Sequence, residues 1–246
     1  MRASWTTLVS FALLLAVWQA AAEIAASRMM PGPAEVVVVL GREIADGSLP
    51  YHLGVTLVRV AAAFALAMLA GTALGIVMGR SRLVDRLLDG WLVVFLNLPA
   101  LVTIVLAYIW FGLIETAAIL AVAVNKIPNT VVTVREGARA LDRDLLEMAD
   151  SFRMTRLATL RHVVLPQLWP YLMAAARSGL ALIWKIVLVV ELLGRSNGVG
   201  FQIQLFFQLF DVTAILAYTV AFVAVIQGIE LAVLQPLERR VNRWRR

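Results

Sequence analysis

Residues 141–166, LDRDLLEMADSFRMTRLATLRHVVLP, form a charged island in a chain that is otherwise apolar enough for a bilayer. The island carries Arg143, Arg153, Arg156 and Arg161 beside Asp142, Asp144, Glu147 and Asp150, a charge density that belongs in water. It also carries an apolar stripe, Leu141, Leu145, Met148 and Phe152, whose spacing puts the four on one face of a helix. A water-side helix with an apolar face, held between membrane spans, reads as a docking surface for a soluble partner. A helix lying on lipid headgroups fits the same pattern.

Working outward, the chain has 246 residues, of which 61% are hydrophobic and 15% charged. Soluble domains hold about a quarter charged residues, so this is an integral membrane protein. It has no cysteine, which excludes disulfides and thiolate metal sites. His52 and His162 match no metal-ligand spacing. There is no HExxH motif and no cluster of nucleophile and base, which argues against a membrane-embedded enzyme.

Apolar runs of bilayer length predict an all-α polytopic protein with about six spans: 5–26, 52–79, 91–112, 114–134, 169–194 and 212–234. They read as one transmembrane domain over 1–246, with the polar loop 135–168 between the fourth and fifth spans. Arg2, Arg80, Arg82, Arg86, the arginines from Arg135 to Arg161 and those from Arg239 to Arg246 fall on one side; Arg28, Arg42 and Arg195 fall on the other. The positive-inside rule then puts both termini and the island in the cytoplasm. The formal charge of +6 is thus a topology signal, not a nucleic-acid footprint. Arg2 and Ala20–Ala22 imitate a cleavable signal, but the apolar run continues to Ala26 and reads as a retained anchor.

Residues 27–50 read as an external segment with a short amphipathic helix in AEVVVVLGREIADG, and Arg80–Gly90 as a short basic loop. Gly71, Gly75 and Gly79 repeat every four residues in the second span, a spacing that lets helix backbones approach closely. Pro99 and Pro128 fall within the third and fourth spans, near Asn97 and Asn125. Broken helices in lipid line a wet path or are buried in protein, so these residues are path-lining candidates; a packing kink is the other reading. Lys126, Arg177, Lys185 and Glu191 are ionisable residues in apolar spans. Such groups either pair between helices or meet a substrate, and both readings stand. The cationic excess favours a small anion.

The segments HLGVTLVRV, GTALGIVMGRSR, WFG at 110–112 and ELLGRSNGVG, together with the island, resemble the inner-membrane permease subunits of binding-protein-dependent ABC importers of the nitrate/sulfonate/taurine type. The resemblance runs from about Leu53 to the C-terminus. The family's signature Glu-Ala-Ala loop has an acidic residue, two alanines, a glycine three residues on, and a closing hydrophobic-Pro pair. Glu147, Ala149, Leu165 and Pro166 fill the matching places, whereas Met148 replaces the first alanine and Arg153 the glycine. Glycine suits a left-handed turn residue there; arginine costs about 1 kcal/mol or more. Thr155 can cap the second helix.

The resemblance implies that Leu145, Glu147, Met148, Ala149, Phe152, Arg153, Leu165 and Pro166 couple to a cytoplasmic ATPase. It implies two such ATPase subunits, a periplasmic substrate-binding protein, and a second permease copy, a homodimer being expected. No GxxxxGK[ST] loop occurs, so this chain binds no cofactor; ATP and magnesium belong to the partner. The substrate class implied is nitrate, sulfonate or taurine, although related importers also carry pyrimidine-like compounds. A secondary transporter or channel without an ATPase is the rival reading, and it leaves the amphipathic loop unexplained.

Overall fold

The computed structural model describes residues 5–236. Arg2 and the basic tail LERRVNRWRR, with Arg239, Arg240, Arg243, Trp244, Arg245 and Arg246, lie outside the described residues. The described chain is helical, in the order α1 (Trp5–Ala25), α2 (Pro33–Ala45), α3 (Ser48–Arg80), α4 (Arg82–Asn97), α5 (Ala100–Phe111), α6 (Glu115–Arg139), α7 (Arg143–Ser151), α8 (Arg156–Thr159), α9 (Leu165–Gly194), α10 (Val199–Gln208) and α11 (Val212–Ile229). Single π-turns follow α8 at Leu160–Val164 and α11 at Glu230–Leu234.

Four helical segments are long and apolar enough to cross a membrane: Ser48–Arg80, Glu115–Arg139, Arg156–Gly194 and Val212–Val233. A fifth arises if α4 and α5 count as one bent span, and Val9–Ala25 is a shorter apolar helix. The sequence predicts a single span at 91–112, but α4 and α5 meet there at 98°. Leu98 is extended (φ −69°, ψ 124°), as a residue before proline prefers, and Pro99 has no N–H to continue the helix. The predicted loop Arg80–Gly90 is also helical beyond Arg82, because Ser81 caps α4 by accepting the Val84 N–H. The external helix in 27–50 forms as α2, with Pro33 in its first turn.

The chain forms two compact units. One takes the residues up to Thr56 together with Glu191–Gly228. Within it the Trp18 indole N–H donates to the Pro31 carbonyl at 3.0 Å, tying α1 to the start of α2. Tyr218 is fully buried; its hydroxyl donates to Glu43 at 2.9 Å and lies 3.0 Å from Ser48 Oγ. The second unit takes Leu57–Val190 and the segment from Ile229 on.

In the second unit α6 is buried on nearly every side, by Ala117, Ala121, Val122, Ala123, Thr130, Val131, Val134 and Ala138 among others. Small residues let its neighbours come close. A Cβ placed on Gly71 would lie 2.6 Å from Thr130 Cβ; on Gly75, 2.8 Å from Val134 Cβ; on Gly79, 2.6 Å from Ala138 Cβ. The glycine ladder of α3 therefore lies on α6 in constant register. Gly137 does the same for α9, where an added Cβ would sit 2.6 Å from the Tyr171 ring. Two small cores flank this contact: Met78, Leu92 and Val131, and Ala138, Leu141, Val164 and Leu168.

Gly75→Leu should force α3 and α6 apart, because the Val131 carbonyl would stand 3.0 Å from the new Cβ. Overpacking of this kind costs about 1–3 kcal/mol, read as a lower melting temperature of the detergent-solubilised protein. Gly54→Ala, with nothing within 4 Å, should not lower it.

Candidate functional site

The charged island folds as a helical hairpin. Asp142 caps α7 by accepting the N–H groups of Asp144 (2.8 Å) and Leu145 (3.4 Å). The Asp142 N–H donates to Gln167 Oε1 at 2.8 Å, which fixes the start of α7 to α9. At its other end the Arg153 N–H donates to Asp150 O and the Met154 N–H to Ala149 O, the paired bonds of a Schellman turn. Arg153 is left-handed there, with φ 49°, the conformation the glycine position demands. Thr155 caps α8 by accepting the Ala158 N–H. The second arm then continues without interruption, Arg156–Gly194, as a helix of 39 residues. Pro166 has no N–H for the His162 carbonyl, and the backbone widens just before it: the Leu165 N–H reaches Leu160 O across a π-turn.

The hairpin has an inner and an outer side. Ala149 is fully buried, and Leu141 lies in the core with Val164 and Leu168. The sequence places Leu141 in the apolar stripe, and the resemblance counts Ala149 among the coupling residues; the structure buries both, with α7 packed against the start of the second arm. Leu145, Met148 and Phe152 remain exposed, Phe152 at 77%. Leu157 and Leu160 extend this apolar surface onto the second arm. Glu147, Arg153 and Pro166 are exposed around it, and Leu165 is half-buried.

Three of the ionisable residues inside the spans have partners. Glu191 is fully buried and accepts from Thr56 Oγ1 and the Gly200 N–H, both at 2.9 Å. Thr56 Oγ1 accepts the Val199 N–H at 2.9 Å, so the two side chains together cap α10. Gly198 stands so close that no side chain fits over the carboxylate, and its φ of 106° also calls for glycine. Next to this cap the Gly198 N–H donates to His52 Nδ1 at 3.0 Å, and the Gln202 amide lies 2.6 Å from Nε2. With Nδ1 accepting, Nε2 carries the proton, and a hydrogen bond to Gln202 requires the amide turned so that its oxygen, not the nitrogen placed there, meets the ring. Arg59, also buried, forms a two-point pair with Glu115 at 2.5 and 3.0 Å. Arg177 pairs with Glu230 at 3.3 Å.

Two lysines differ. Lys126 is 3% exposed, and its stem lies against Gly179, where an added Cβ would stand 2.7 Å from Lys126 Cε. Lys185 is exposed in the middle of α9. Neither makes an ion pair among the described residues. Asn125 is half-buried beside Lys126, and Pro128 is buried within α6. Asn97 and Pro99 are exposed at the bend, where the Asn97 amide donates to the Val93 carbonyl at 2.8 Å.

The sequence reading missed His52, Thr56 and Gln202. Two polar residues one turn apart at the head of an apolar span were the available signal. It also left Arg59 unassigned, although a basic residue in an apolar span calls for an acidic partner.

Residues 71–234 match the family of binding-protein-dependent transport system inner membrane components. The chain belongs to that family. It is therefore the multi-pass inner-membrane permease subunit of an ABC importer, working with an ATPase and a substrate-binding protein. The permease is 31% identical to SsuC of Escherichia coli (strain K12), a permease protein named for aliphatic sulfonates transport, over 94% of this chain and 88% of that one. It is 28% identical to the taurine transport system permease protein TauC of the same strain, over 96% and 88%. It is 27% identical to the nitrate import permease protein NrtB of Synechocystis sp., over 79% and 74%. Among solved structures it is similar in fold to the inward-facing MetNI methionine ABC transporter, with TM-score 0.65 and 19% identity over 76% of this chain and 93% of that one. An amino acid ABC transporter gives 0.63 and 22%, over 82% and 97%.

Arg153→Gly in the permease should stabilise the hairpin turn by about 1 kcal/mol, since glycine adopts the left-handed conformation without a Cβ penalty. Slower hydrogen exchange at the Met154 amide would report it. Glu191→Ala should cost about 1–3 kcal/mol of thermal stability by stranding the Gly200 N–H and Thr56 hydroxyl. A pure substrate contact would lose uptake with unchanged unfolding.

Proposed function

We propose that this permease imports a small anion of the nitrate, sulfonate or taurine class, with Lys126 as the anion's contact in the translocation path. The observation that carries the proposal is the state of Lys126: a cation almost wholly buried in a membrane-spanning helix, with no counter-charge among the described residues. An isolated buried charge is costly, and an anion passing α6 supplies the missing partner. Asn125 lies beside it with hydrogen-bonding capacity to spare. The names of the sulfonate, taurine and nitrate relatives point to the same chemistry. Arg177 and Glu191, engaged with other residues, serve as locks between helices, while Lys185, Asn97, Pro99 and Pro128 remain path residues in this reading.

The α7–α8 hairpin is the handle for the ATPase. Leu145, Met148 and Phe152 supply the apolar contact, and Glu147, Arg153 and Arg156 the charged rim that sets register. Ala149, Leu165 and Pro166 hold the hairpin's shape. This chain is non-catalytic: ATP and magnesium sit on two ATPase subunits. Two copies of the permease make one pore, the hairpin and both termini face the cytoplasm, and the binding protein docks on the opposite side.

Both parts are tested in proteoliposomes holding the permease, its ATPase and its binding protein, with ATP-driven uptake of labelled ethanesulfonate, taurine and nitrate. Lys126→Met should lower uptake of the transported anion by about tenfold or more, the worth of one charge-assisted contact, and Lys126→Arg should retain part of it. Uptake unchanged in Lys126→Met refutes the anion contact. Phe152→Ala should weaken ATPase association by about thirtyfold, as for a central interface anchor.

A further inference from the structure

At the end of the membrane-spanning part of the second unit, a cleft of about 520 Å³ opens where α3, α4, α6 and α7 meet. Its wall carries five guanidinium groups, those of Arg80, Arg82, Arg86, Arg139 and Arg143, and one carboxylate, Asp85. The carboxylate does not balance the wall. Arg139 Nη2 holds it at 2.5 Å, and Arg135, from outside the cleft, reaches it at 3.3 Å. Glu136 and Asp89 are likewise engaged, with Arg139 at 2.8 Å and Arg135 at 2.6 Å. Arg80, Arg82, Arg86 and Arg143 have no acidic partner among the described residues. Four arginines from three helices around one hollow, with no protein anion to neutralise them, call for an anion from elsewhere. The planar guanidinium fork suits a phosphoryl group above all.

A second hollow adjoins the first. An almost wholly apolar groove of about 310 Å³ runs between α3, α4 and α6, past Leu74, Leu88, Leu92, Phe95 and Val131. Met78 lines both hollows. A single molecule with an anionic head and a hydrocarbon tail would occupy the two together. The setting selects one such molecule. Leu83, Leu87, Trp91 and Val94 form an exposed apolar stripe along α4, at the spacing of one helix face, immediately beside Arg82 and Arg86. Such a stripe suits contact with lipid with its tryptophan at the interface, which would set the arginines at the level of headgroups.

We propose that the arginine cleft and the apolar groove joined at Met78 form a binding site for an anionic phospholipid, its phosphodiester on Arg80, Arg82, Arg86 and Arg143 and an acyl chain in the groove. Basic pockets between membrane helices recognise such headgroups by this combination of charge and depth. The site ties lipid composition to the base of the coupling hairpin, because Arg143 opens α7. It rests on the proposed orientation only in naming the leaflet, which is the cytoplasmic one.

The test uses the purified complex of permease and ATPase in phosphatidylcholine nanodiscs, titrated with dioleoylphosphatidylglycerol and read by native mass spectrometry. The wild type should retain phosphatidylglycerol. The double variant Arg82→Gln/Arg86→Gln should bind it about thirtyfold more weakly, as loss of two basic contacts predicts. Met78→Trp, which fills the junction and keeps every charge, should weaken it too. Arg28→Gln/Arg42→Gln, exposed in the other unit, should leave retention unchanged. Equal retention in wild type and both cleft variants overturns the site. Displacement of the lipid by inorganic phosphate at millimolar concentration reassigns the cleft to a free anion and overturns the lipid. Retention only when the ATPase is stripped off shows an acidic protein surface filling the cleft, which also overturns it. ATP-driven uptake by the same preparations reports separately on the transport reading.

Discussion

Backbone contact between α3 and α6 is the constraint on which the larger unit depends. Helices in lipid gain nothing from hiding apolar surface, so they associate through close packing. Gly71, Gly75 and Gly79 leave no room for even a methyl group above Thr130, Val134 and Ala138. This fixes the axial register of two spans to within a residue. The register then sets what lies at their ends. It brings Arg135 and Arg139 to Asp85 and Asp89 of α4, and it launches the hairpin from the foot of α6. The arginine-lined cleft is the hollow left where these ends diverge.

Charge inside the spans follows one rule, from which the two lysines, Lys126 and Lys185, depart. Arg59, Arg177 and Glu191 are each satisfied by a named group: a carboxylate, a second carboxylate, and the amides and hydroxyl at the head of α10. Each of these charges has a counterpart within the same chain. Lys126 is buried without a carboxylate partner among the described residues, which is the ground for the proposal that an anion meets it in the path.

Much of this was legible in the residues. Periodicity gave the helical class, the amphipathic island and the short helix α2, because those depend on local pattern alone. Pro99 was visible as a disruption, but the size of the bend was not: Leu98 could have kinked a straight span as readily as it turned it through a right angle. The loop read at Arg80–Gly90 became the start of α4 because its aspartates, Asp85 and Asp89, are held by Arg135 and Arg139 of α6, a tertiary effect absent from any local window. Glu191 and Thr56 lie 135 positions apart, and no spacing rule links them. The stripe through Leu141 and Phe152 was read as one face, yet the structure divides it: Leu141 packs with Val164 and Leu168 ahead of α7, while Leu145, Met148 and Phe152 stay exposed.

The uninterrupted run from Arg156 to Gly194 has a mechanical meaning. At 1.5 Å per residue it is a rod about 58 Å long. No irregular linker separates the polar hairpin from the apolar length of this helix. The wide turn at Leu160–Val164 and Pro170 beyond it are the two irregular points along that rod, where a helix bends or twists most readily.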